Sequence, residues 1–67
     1  MYQENGSDAY QDTKRQMARA SDLIDAGRLA DADTVLQGSG AIWSDLVLHV
    51  GRSRLAIMAA WKRGVAS

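Results

Sequence analysis

His49 is the single histidine of this chain, and Ser44 and Asp45 stand just upstream of it. Serine, histidine and aspartate are the residue types of nucleophilic hydrolysis, in which imidazole takes the hydroxyl proton and a carboxylate orients the ring. Here the spacing defeats that chemistry. Ser44 and Asp45 are consecutive, and consecutive helix positions point apart. One histidine and no cysteine leave no zinc-ligand set and no disulfide. No catalytic residue, metal site or cofactor is therefore expected, and the chain reads as a non-enzyme. His49 reads as an ordinary residue flanking an apolar face.

Arg54 is the more informative polar residue. It stands in an otherwise apolar stretch, among Val50, Ile57, Met58 and Trp61. A buried, unpaired guanidinium is very unfavourable. Three outcomes are open: an ion pair with Asp12, Asp22 or Asp25, snorkelling to solvent, or a place on a partner-binding surface.

The element that must position these residues is marked by Trp43 and Trp61. They are eighteen residues apart, five turns of an α-helix, so on one straight helix their rings share a direction. A helix over 41–63 collects Trp43, Leu46, Val47, Val50, Arg54, Ile57, Met58 and Trp61 on one face, with Arg54 about 20° from the Trp43 axis. A second, weaker stripe holds Leu48, Leu55 and Ala59. Gly51 lies between the stripes, and its preferred reading is a close helix–helix approach, with a kink as the alternative.

Two further helices precede it. Residues 8–26 form the first, capped at Ser7 or Asp8, with Tyr10, Met17, Ala20 and Ile24 inward and Thr13 between. Residues 28–37 form a short second helix with Leu29, Ala32 and Leu36 on one side, ended by Gly38-Ser39-Gly40. Residues 1–6 and 65–67 read as tails. The stretch from Ser21 to Leu36, SDLIDAGRLADADTVL, resembles the turn of a tetratricopeptide-type helical hairpin at Gly27, Leu29 and Ala32. The resemblance spans about a quarter of the chain, without the upstream aromatic signature or a second repeat, and implies a helix end at Gly27.

With no proline and no alternating apolar run, the fold class is all-α. The expected architecture is a hairpin of two long helices with a short connecting helix. Sixty-seven residues support only a marginal core, which favours a homodimer that completes a helical bundle. The first helix is too poor in large side chains to cover the tryptophan stripe. The candidate partner or dimer interface is therefore Trp43, Leu46, Val47, Val50, Arg54, Ile57, Met58 and Trp61, with Leu48 and Leu55.

Net charge is zero, which gives no global attraction to nucleic acid or membrane. Residues 1–40 carry seven acids against four bases, whereas residues 41–67 carry Asp45 against Arg52, Arg54, Lys62 and Arg63. Arg52, Lys62 and Arg63 are candidate nucleic-acid contacts under an alternative reading as a DNA-associated regulator. Their directions around the helix diverge, which weighs against that reading. The apolar stretch contains Asp45, His49, Arg52 and Arg54, so no membrane span is expected. The polar start lacks the basic and apolar runs of a signal peptide, and the expected location is cytoplasmic. The expected function is that of a small adaptor, regulator or inhibitor that binds another protein.

Overall fold

A computed structural model of the chain describes the backbone of residues 4–66 and the side chains of residues 9–66. It is all-helical, with four helices and no strand among the described residues: α1 (Glu4–Asp25), α2 (Leu29–Ser39), α3 (Trp43–His49) and α4 (Arg52–Ala66). The body is elongated, 48 × 20 × 18 Å.

α1 begins before the expected cap, and Ser7 and Asp8 lie inside it. Gly6 and Ser7 each lower helix propensity by no more than about 1 kcal/mol, too little to stop a helix. Of the expected N-terminal tail, residues 4–6 are thus helical, and residues 1–3 lie outside the described residues. α1 ends where the sequence placed a break. Gly27 adopts φ 80°, its N–H donates to Ile24 O, and Arg28 N–H donates to Leu23 O. These two bonds form a Schellman motif, which satisfies the last carbonyls of the helix.

α2 continues two residues past its expected end, through Gly38 and Ser39 to Gly40 at φ 74°. Side chains hold this last turn. Ser39 Oγ donates to Leu36 O at 2.7 Å, and Thr13 Oγ1 of α1 lies 3.0 Å from Ser39 O. Ala41 and Ile42, expected in the next helix, form an extended link, with Ile42 at ψ 169°.

The long third helix is two helices. α3 stops at His49, the chain turns at Val50 and Gly51, and α4 starts at Arg52. Gly51 has φ 99°, which L-residues with a side chain rarely adopt. A Cβ built on it would meet nothing within 4 Å, so the glycine is there for the bend and not for a close helix contact. Both Val50 N–H and Gly51 N–H donate to Leu46 O, closing α3, and Leu55 N–H donates to Gly51 O, opening α4. The helix then runs on past its expected end at 63, through Gly64 and through Val65 and Ala66 of the expected tail, and Ser67 lies outside the described residues.

The core sits where α1 crosses the other elements. Met17, Ala20 and Ile24 recur at helical spacing and are buried with Ala32 of α2, Val50 of the bend, and Leu55 and Met58 of α4. Tyr10, expected inward, is 43% exposed.

Gly51 and Gly38 should answer the same substitution with opposite signs. Gly51→Ala forces a side chain into positive φ and should lower stability by about 1–2 kcal/mol. Gly38→Ala, in a helix with no neighbour to strike, should raise it by up to about 1 kcal/mol. Urea unfolding of the two variants against the parent protein measures both.

Candidate functional site

The bend decides where the candidate residues fall. Trp43 and Trp61 no longer share a face, because they belong to different helices. Trp61 is half-buried against the core, facing Gly27, Arg28 and Leu29 at the α1–α2 turn. Trp43, at the first position of α3, is 66% exposed. Of the other expected interface residues, Val50, Leu55 and Met58 are core residues of the single chain. Leu46 and Val47 are half-buried against that core, while Leu48 and Ile57 are exposed on other faces.

Trp43 borders two shallow concavities that share Trp43, Leu55 and Ala59 as walls. One, of about 300 Å³, lies between α2, α3 and α4, and adds Leu36, Leu46 and Met58, with Asp33, Gln37 and Lys62 at its edge. The other, of about 360 Å³, adds Ala56 and Arg52. Together they form an open groove with an apolar floor and charged ends. The second stripe seen in the sequence supplied Leu55 and Ala59 to this groove. Leu36 was read as apolar face of the second helix, but the contributions of Asp33 and Gln37 had no sequence signal, because they depend on how α2 is laid against α4.

Arg54 makes an ion pair with Asp25, one of the three partners the sequence left open. Arg54 Nε and Nη2 donate to Asp25 Oδ1 and Oδ2 at 2.9 and 2.7 Å, and Nη1 donates to Val50 O at 3.1 Å. The two-pronged geometry is the strong form of an arginine–carboxylate contact. The hydrogen bonds from Arg54 hold the Asp25 carboxyl below its usual value of 3.8, against a smaller opposing effect of desolvation. The same hydrogen bonds raise the Arg54 guanidinium.

His49 does not meet Ser44 or Asp45 in any hydrogen bond among the described residues. Its Nε2 lies 3.3 Å from Tyr10 Oη, with the two rings edge-on at 6.4 Å and the Lys14 ammonium 5.2 Å from the Tyr10 ring centre. This cluster packs α3 on α1. No group of three His, Asp or Glu side chains suited to a metal ion occurs among the described residues. Of the candidate nucleic-acid contacts, Lys62 turns toward α2, its Nζ 3.5 Å from Asp33 Oδ1, while Arg52 and Arg63 stay exposed. No described helix is long and apolar enough to cross a membrane.

No family model, curated protein or solved structure matches the chain. Its function is therefore argued from the groove and the charges around it.

The Asp25 shift carries a sign. A carboxyl whose folded-state value is depressed contributes stability that is present above the unfolded value of 3.8 and lost as pH falls through the folded one. Asp25→Asn removes that contribution. The stability gap between parent and variant should be constant above about pH 5 and close as pH drops below 3.8. The pair is partly exposed, so the gap should also narrow at high salt. Thermal unfolding across pH at two salt concentrations tests both statements.

Proposed function

We propose that this chain is a small non-catalytic protein-interaction module that binds its partner through the Trp43 groove. The observation that carries the reading is the 66% exposure of Trp43 beside an apolar floor. A large aromatic ring left in water next to such a floor keeps a strong drive to be covered. Tryptophan is also the residue type most enriched at binding hot spots. The fold does not use Trp43, since the buried core forms without it.

A homodimer was favoured by the small size of the chain and by one straight stripe from Trp43 to Trp61 that the first helix could not cover. The bend divides that stripe, and part of it is used within the chain. A second copy therefore becomes one of two occupants of the groove, beside a different protein, and we favour the latter. The DNA-associated reading has less to draw on, since the net charge is zero and Arg54 is held by Asp25 of the same chain.

Trp43→Ala separates folding from binding. At such an exposed site the stability change should stay within about 0.5 kcal/mol. Proteins retained from an extract of the native cells by the immobilised parent chain should be lost from the variant. Equal retention by both chains would sink the reading. Sedimentation over a range of concentrations identifies a second copy, through a dimer that Trp43→Ala abolishes.

A further inference from the structure

The groove has a direction, set by one stripe of α4. At 100° per residue Arg52, Ala56, Ala59 and Arg63 lie within about 60° of one another, and Leu55 and Lys62 flank them on the α2 side. Ala56 and Ala59 are exposed and offer only methyl groups, so a second helix axis can approach closely between the raised wall of Trp43 and the far side of α4. The stripe carries a cation at each end. Arg52 makes no ion pair among the described residues. At the other end Lys62 Nζ is a loose 3.5 Å from Asp33, whose carboxylate also accepts from Gln37 Nε2 at 2.7 Å. The two ends are about 15 Å apart, or three helical turns.

We infer that the occupant of the groove is an amphipathic α-helix of another protein, apolar over about three turns and acidic near both ends of that stretch. This rests on the protein-interaction reading above and names the class of partner. The apolar turns cover Trp43 and the two alanines, while the acids meet Arg52 at one end and the loosely held Lys62 at the other.

Charge weighs against α4 of a second copy in this seat. In an antiparallel two-fold pairing of α4 centred between Ala56 and Ala59, Arg52 faces Arg63 at both ends. In a parallel pairing Arg52 faces Arg52. Like charges opposed across an interface disfavour it. The outer face of α1 in another copy is no better, because Arg15 and Arg19 there balance Asp12 and Asp22, and Ala18 is the one apolar residue among them.

Two synthetic helical peptides without tryptophan test the inference. Both carry the same leucine and alanine stripe over three turns. One has Glu at two positions eleven residues apart, and the other has Lys there. The protein is the full chain with Trp61→Phe, so that fluorescence reports Trp43 alone. The acidic peptide should shift the Trp43 emission to the blue and shield it from acrylamide. The basic peptide should bind at least tenfold more weakly. Arg52→Glu, with its helicity checked by circular dichroism, should weaken the acidic peptide at least tenfold and improve the basic one. Equal binding of both peptides overturns the inference and leaves the protein-interaction reading standing. So does failure of both at millimolar concentration, if Trp43→Ala still abolishes partner capture. A dimer that buries Trp43 assigns the groove to a second copy and overturns it. Binding of a short DNA duplex that Arg52→Glu abolishes and Trp43→Ala leaves intact overturns it in favour of nucleic acid.

Discussion

The guanidinium of Arg54 is the joint on which this small fold turns. One side of its fork takes both carboxylate oxygens of Asp25, the last residue of α1. Its remaining nitrogen takes the carbonyl of Val50, at the corner between α3 and α4. Three chain segments are thereby held at one point. The corner carbonyl would otherwise lack a partner, because α4 is a new helix and not a continuation of α3. The bend in turn lets Val50 sink to 1% exposure in the core while α3 swings its first residue, Trp43, outward. A single side chain thus connects the acid end of one helix, the corner of the core and the placement of the exposed tryptophan.

That arrangement explains which features were legible in the residues. The all-α class followed from composition and periodicity, and the stop at Gly27 from a glycine placed just after an apolar run. The carboxylate partner of Arg54 was also legible in outline. A charge on an apolar stripe needs a partner, and few acids were within reach. The break at Gly51 was legible only as the lesser reading of that glycine, a kink. A stripe counted at 100° per residue passes through Gly51 without interruption, because periodicity records which way side chains point and not the sign of one φ angle. The bend is settled by tertiary terms: the burial of Val50, and the reach of Arg54 to Asp25 and the corner carbonyl. Missing it joined two helices into one and placed Trp43 and Trp61 on a common face. It also made Leu48 part of a second buried stripe, whereas the turn rotates α3 and leaves that leucine 74% exposed.

The groove is a consequence of the same economy of material. Among the described residues, α1 brings only Met17, Ala20 and Ile24 to the buried core, and α2 brings only Ala32. So thin a set covers one side of α4 and no more. The opposite side is finished by Leu36, Leu46 and Trp43, which stand around the floor without closing over it. Ala56 and Ala59 are too small to fill the space themselves. A helix with larger residues at those positions would roof its own floor and lose the concavity.

Leu55 and Met58 belong to both structures at once. They are 8% and 5% exposed, counted among the core, yet their outer edges form the groove floor. Whatever fills the groove therefore finishes the hydrophobic layer that holds α4 to the rest of the chain. Binding to the folded state alone adds stability that grows with the logarithm of ligand concentration, about 2.7 kcal/mol at a hundred times the dissociation constant. For a domain of this size that is a large share of the total. At Leu55 and Met58, affinity and stability are thus coupled. A substitution that loosens the floor disturbs the core as well, whereas Arg52 stands on the rim and outside the core.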